Sequence, residues 1–149
     1  MDAEVYMEEV KTNITLDIFR LSNLLSRYGA KMVADVGLNS IQQWVILRTI
    51  INRGEISIGE LKEEMLVTKQ NMTGMINRLQ QSNLVTLFQD PEDKRRTRVK
   101  ITEEGIRVYE QLKSLRNDFN AQTYHIYNEQ EIMVLSDLLS RLVEHLKEE

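Results

Sequence analysis

The apolar residues Ile14, Ile18, Leu21, Leu25, Tyr28 and Met32 fall 4, 3, 4, 3 and 4 positions apart. That spacing lines one stripe of an α-helix and offers a seam to another helix. It predicts a first helix that ends before Gly37. Ser40 and Gln43 then form a Ser-x-x-Gln capping box, which opens a second helix around Trp44, Leu47 and Ile51 and is stopped by Gly54. The same signal recurs at Ser57 and Glu60 and starts a short third helix through Leu61 and Met65. Three residues later Thr68 caps a fourth. Two short helices joined through Leu66-Val67-Thr68 leave space for little except a helix-turn-helix.

The fourth helix divides by angle, with Met72, Ile76 and Leu79 on one side and Gln70, Thr73 and Asn77 on the other. The first set packs and the second faces out. Gln and Asn can bond adenine bidentately and Thr can meet a thymine methyl, so such a face suits base edges in a major groove. A merely solvated face is the alternative. Gly74, which costs a helix about 1 kcal/mol relative to Ala, lies beside the outer face, where it would permit close approach to a phosphate. Next come the apolar run Leu84-Val85-Thr86-Leu87-Phe88 and the turn-forming Asp90-Pro91. From Asp93 to Thr102 five basic residues stand against one acid. The pattern is two strands with a charged tip, and a helix followed by a basic hairpin is a winged helix-turn-helix.

Beyond the wing, Thr102 with Glu103 and Glu104 caps a fifth helix carrying Val108, Leu112, Leu115, Phe119 and Ile126. Asn128 with Glu131 restarts a sixth, whose Ile132, Leu135, Leu139, Leu142 and Leu146 fall 3, 4, 3 and 4 apart. Both ends of the chain thus carry more apolar face than a small reading domain can cover. A homodimer built from both termini explains the excess, with Ile14, Ile18, Leu21, Ile132, Leu135, Leu139, Leu142 and Leu146 at its interface. The alternative is a closed monomeric bundle. The expected architecture is mainly α with a small β-wing, in one domain over residues 1–149. Residues 38–105 form the winged helix-turn-helix, and 7–36 and 106–149 the dimerisation helices.

Charge sharpens the picture. The chain of 149 residues has a formal net charge of −4, yet residues 67–100 hold seven Lys or Arg (Lys69, Arg78, Lys94, Arg95, Arg96, Arg98, Lys100) against Asp90, Glu92 and Asp93. That segment is +4 and the remainder −8. An acidic whole argues against indiscriminate coating of nucleic acid. Concentrated positive charge still attracts phosphate, while the acidic remainder orients the approach. The lack of cysteine excludes disulfides, thiolate metal sites and thiol redox sensing. His125 and His145 stand far apart, without the spacing of a zinc pair. No Gly-rich phosphate loop or Gly-x-Ser-x-Gly is present, so no catalytic residue, metal or cofactor is expected. No stretch approaches the roughly 20 apolar residues of a membrane span, which makes a soluble cytoplasmic protein the expectation.

Several segments, in order and spacing, resemble the MarR (multiple antibiotic resistance regulator) family of transcriptional regulators. They are Leu38-x-x-x-Gln42-x-x-Val45-x-Leu47, Ile58-Gly59-Glu60-Leu61, Val67-Thr68-Lys69-Gln70-Asn71-Met72-Thr73-Gly74-Met75-Ile76-x-x-Leu79, and Asp93-x-Arg95 followed by Ile101-Thr102-x-x-Gly105. Ile101 stands where the family more commonly has Leu. The resemblance implies an obligate homodimer, a palindromic double-stranded DNA operator and an input that changes the spacing of two reading heads. It implies DNA contacts from Thr68, Lys69, Gln70, Asn71, Thr73, Gly74, Asn77 and Arg78 on the helix, and from Asp93, Lys94, Arg95, Arg96 and Arg98 on the wing. In the family pattern Asp93 holds the arginines in place and Arg95 enters the minor groove; Arg96, Arg98 and Lys100 are open between phosphate contact and strand-surface charge. Family members often take small aromatic or anionic effectors, for which Tyr28, Met32 and Trp44 are the candidate pocket here, with plain core packing as the alternative. The resulting expectation is a dimeric, sequence-specific repressor released by a small molecule. A winged-helix protein-interaction module leaves the basic wing unexplained, and an RNA-binding adaptor lacks an aromatic stacking sheet.

Overall fold

The structure, a computed structural model, describes residues 2–65 and 69–148, with Lys69 and Gln70 described in backbone only. Along the described chain run α1 (Ala3–Ala34), α2 (Ile41–Arg53), β1 (Glu55–Ser57), α3 (Ile58–Met65), α4 (Lys69–Gln81), β2 (Val85–Gln89), β3 (Thr97–Ile101), α5 (Glu103–Tyr124) and α6 (Glu129–Lys147). They fall into two compact units, residues 1–113 and 114–149.

Local chemistry sets most of the boundaries. Asp2 caps α1, which therefore starts upstream of the position expected from its apolar seam. The chain leaves α1 before Gly37, whose φ of +83° a side chain would strain. At α2 the Gln43 N–H donates to Ser40 Oγ (3.4 Å), but the Gln43 side chain accepts from the Asn39 N–H (2.7 Å) and not from Ser40. The box has shifted one residue on its return arm. Gly54, at φ +81°, ends α2 as expected. Ser57 then has two roles: it closes β1, and it caps α3 by exchanging bonds with Glu60 (Glu60 N–H to Ser57 Oγ 3.1 Å, Ser57 N–H to Glu60 Oε2 2.9 Å). The expected Thr68 cap and the Leu66-Val67-Thr68 connection lie outside the described residues.

The sheet is three-stranded and antiparallel in the order β1-β3-β2, with Ile56 and Leu87 both opposite Val99. The sequence had offered only the β2–β3 hairpin. β1 is three residues long, too short to display a period of two, and its pairing partner lies more than forty residues away. The core of this first unit is built from Val33, Ile46, Leu47, Ile50, Ile56, Leu61, Met72, Ile76, Leu79, Val85, Val99 and Leu112, all essentially fully buried. Burial of each such side chain contributes on the order of 1.5–3 kcal/mol. Within this unit α5 starts on the sheet: Thr102 Oγ1 donates to the Asn83 carbonyl (2.7 Å) and accepts from the Gly105 N–H (2.9 Å). Val108, Tyr109 and Leu112 on the same helix are buried.

One expectation is corrected at the far end of α5. Ile126 is not part of that helix but sits in the following turn, 67% exposed. The cause is the next cap: Asn128 and Glu131 exchange both bonds of a capping box, each 2.9 Å, so the chain must leave helical geometry before Asn128. No residue of α6 is buried. Leu135, Leu139, Leu142 and Leu146 are exposed and Ile132 is half-buried, while Met133, Val134, Leu138 and Val143 widen the apolar surface beyond the expected seam. On α1, Ile14 and Leu21 are exposed and Ile18 half-buried.

The tightest packing constraint is at Gly105. A Cβ there would collide with the Leu84 carbonyl oxygen and lie 2.6 Å from Ile101 Cγ1. Gly105→Ala is expected to destabilise the protein by about 1–3 kcal/mol, the usual cost of overpacking against atoms that cannot yield. Urea titration measures it; a change within about 0.5 kcal/mol would mean that α5 and the β2 start move apart freely.

Candidate nucleic-acid interface

The buried side of α4 is Met72, Ile76 and Leu79; Asn71, Thr73, Asn77 and Arg78 are exposed. This is the division the sequence predicted. Gly74 has nothing within 4 Å of the position a Cβ would occupy, so no neighbour in the chain requires glycine there. The expected contacts from Thr68 and from the Lys69 and Gln70 side chains lie outside the described residues.

Backbone bonds close the loop between β2 and β3. The Asp90 N–H donates to the Arg96 carbonyl (3.0 Å) and the Arg96 N–H to the Asp93 carbonyl (2.9 Å). At the tip, Asp93 Oδ1 accepts from the Arg95 N–H and from Arg95 Nε, both at 3.1 Å, and Oδ2 accepts from Arg95 Nη2 at 3.3 Å. The Arg95 side chain, bonded first, and the Arg95 N–H hold the Asp93 carboxyl below its ordinary value. The fork keeps Arg95 in one orientation while its side chain stays 90% exposed. So exposed a pair adds little stability; its effect is to order a cation. Lys94 is exposed beside it.

The other wing cations have partners within the chain. Arg98, 23% exposed, donates to Asp90 Oδ2 (3.4 Å) and to the Glu55 carbonyl (3.1 Å), and its Nε lies 4.0 Å from the Glu55 carboxylate. It fastens the base of the loop to β1. Asp90 is itself buried, and its carboxyl is lowered by the Glu92 N–H first and then by Arg98. Arg96 Nη2 donates to Ser57 Oγ (3.3 Å) and lies 3.5 Å from Glu60 Oε1. Lys100 Nζ stands 5.7 Å from the centre of the Phe88 ring. Sequence reasoning had not assigned Glu55, Ser57, Glu60 and Asp90 to this site. The capping box had marked Ser57 and Glu60, but nothing local told that the wing returns to them.

Ser57, Gly59, Glu60, Lys62, Thr73, Arg95 and Arg96 line one groove between the wing and α4. The outer face of α4 and the wing tip therefore open on the same surface. Neither this groove nor a second concavity along α6, lined by Asn128, Glu131, Val134, Leu135 and Leu138, includes the expected effector residues. Tyr28 is exposed and Met32 and Trp44 are half-buried. Among the described residues no group of three or more His, Asp or Glu could hold a metal, and no helix is long and apolar enough to cross a membrane.

Residues 40–97, the span of this helix-turn-helix and most of its wing, match the model of the MarR family. The chain belongs to the MarR family. This is a family of transcriptional regulators, not of enzymes. Over 108 residues the chain is 31% identical to the transcriptional activatory protein BadR of Rhodopseudomonas palustris, covering 70% of this chain and 61% of that one. A mutant MarR from E. coli, solved in complex with operator DNA, superposes with a TM-score of 0.80 at 24% identity over 87% of this chain and 93% of that one. An organohalide-sensing transcriptional regulator in its 2,4-dichlorophenol-bound form does so with a TM-score of 0.82 at 19% identity over 93% of this chain and 82% of that one. At such identities the likeness is one of fold.

The bracing of the MarR-type wing has a pH signature. Because the Asp90 carboxyl is lowered in the folded chain, its contribution is present above the ordinary carboxylate value and is lost as pH falls through the lowered one. Asp90→Asn is expected to reduce stability near neutrality and to flatten the loss of stability between about pH 5 and about pH 3. Urea midpoints across that range provide the check. Parallel curves for the two proteins would show that the Asp90 charge braces nothing.

Proposed function

We propose that the chain is a homodimeric, sequence-specific repressor acting on cytoplasmic double-stranded DNA and released by a small-molecule effector. The observation that carries the DNA reading is the juxtaposition of two surfaces on one groove: an ordered, 90% exposed Arg95 at the wing tip and the polar outer face of α4. Thr73 and Asn77 meet base edges in the major groove, with Lys69, Gln70 and Asn71 at the helix start and Arg78 toward its end. Arg95 enters the adjacent minor groove, where a narrow A·T-rich stretch concentrates negative potential. The Asp93 fork orders that guanidinium before DNA arrives, so less side-chain entropy is lost on binding. Lys94 adds a phosphate contact beside it. Arg98 is a brace, its donors already committed to Asp90 and Glu55.

The exposed apolar faces of α1 and α6 support the homodimer, since surfaces of that size on a soluble chain mark an interface. Two heads related by a twofold axis read a palindrome. The effector reading is supported by the fold likeness to a regulator solved with 2,4-dichlorophenol, and by a chain without cysteine, which leaves no thiol to be oxidised. Tyr28, Met32 and the single tryptophan, Trp44, are the proposed lining, and Trp44 fluorescence reads its occupancy.

Arg95→Ala should weaken binding to a duplex that the wild type retains by on the order of 1–3 kcal/mol without unfolding the protein. Fluorescence anisotropy at constant salt measures it. Unchanged affinity in a folded variant would remove the wing tip from the interface.

A further inference from the structure

The Arg96 side chain turns away from the wing tip and toward the start of α3. Its backbone is fixed on both sides, the N–H on the Asp93 carbonyl and the carbonyl on the Asp90 N–H, so the residue cannot swing outward as a whole. Its guanidinium donates to Ser57 Oγ at 3.3 Å and faces Glu60 Oε1 at 3.5 Å. Glu60 cannot simply be dispensed with: its carboxylate takes the Ser57 N–H, one half of the capping box that starts α3. Both charges remain partly exposed, and they line the groove that has Thr73 on one side and Arg95 on the other.

On duplex DNA, a major groove and its neighbouring minor groove are separated by one sugar–phosphate strand. A head that places α4 in the first and the wing in the second must let that strand cross between Thr73 and Arg95. The crossing point is where Glu60 stands. A bare carboxylate there would repel phosphate, yet the helix cap requires it. We propose that Arg96 is the cation that masks Glu60, neutralising the cap where the DNA backbone passes, and that it is not itself a phosphate contact. This rests on the duplex-DNA reading above. Lys62 and Glu63, which also line the groove, offset one another and leave the Arg96–Glu60 balance to set the local charge.

The salt dependence of binding distinguishes masking from contact, because each phosphate neutralised adds about 0.9 to the magnitude of the log K against log salt slope. The probe is a fluorescent duplex retained by the wild type, titrated at several salt concentrations with wild type, Glu60→Gln, Arg96→Gln and the double variant. Gln preserves the capping box, and thermal melts establish that each protein is folded. Masking predicts a slope steeper by about 0.9 for Glu60→Gln, which frees a cation, and shallower by about the same for Arg96→Gln, which bares an acid. The double variant should return to the wild-type slope and affinity. A double variant that stays as weak and shallow as Arg96→Gln would make Arg96 a direct contact and overturn the proposal. Four identical slopes would reduce the pair to a structural one and overturn it equally. If Arg96→Gln does not fold, an unchanged slope in Glu60→Gln alone is enough to reject it. A wild type that retains no duplex at any salt would defeat the DNA reading itself, a result distinct from all of these.

Discussion

The wing is held to the body of the reading unit through Arg98, in the central strand of the sheet. Its guanidinium reaches Asp90 at one end of the loop and the Glu55 carbonyl in β1. A charged group with so little exposure is tolerable only when its donors are satisfied, and removing either partner would leave a charge largely desolvated. From this brace the loop takes its geometry. Asp90 is fixed, its N–H finds the Arg96 carbonyl, Arg96 turns to the α3 cap, and the residues between them form a tip on which Asp93 orders Arg95. A long basic hairpin left to itself would be mobile; anchoring its base makes it an instrument of fixed reach.

Charge on the wing is accordingly not a single quantity. From Asp93 to Thr102 the sequence shows five cations, and a simple electrostatic reading assigns all of them to phosphate. In the structure Arg98 faces inward, Arg96 faces an acid and Lys100 lies over an aromatic ring, while Arg95 and Lys94 face outward. Fewer cations for DNA means a gentler salt dependence and a larger share for specific contacts. Affinity built this way favours a correct site over the bulk of genomic DNA, which suits an acidic protein with one small basic region.

Much of this was legible because its determinants are local. Capping boxes at Ser57–Glu60 and Asn128–Glu131 mark helix starts within three residues, and the split of Met72, Ile76 and Leu79 from Thr73 and Asn77 follows from helix geometry alone. What escaped depends on distant partners. β1 exists because Ile56 finds Val99, and Arg96 and Arg98 acquire their roles from Ser57, Glu60 and Glu55, some forty residues upstream. Ile126 kept the apolar period of its helix yet lost its place in it, because a cap two residues on outweighs one side chain at the right phase. The Asp93–Arg95 fork lay between these cases: adjacency allowed it, family resemblance pointed to it, and its bidentate form is visible only in three dimensions.

The central claim is that two copies of this reading unit, paired through the exposed apolar helices at the chain ends, recognise a defined DNA site. Selection from a pool of randomised duplexes at physiological salt, followed by sequencing of the retained DNA, tests it most directly. The account predicts an enriched palindrome whose half-sites lie about one helical turn apart, roughly 34 Å from centre to centre. A retained pool with no enriched motif, or with a single unrepeated half-site, would contradict it.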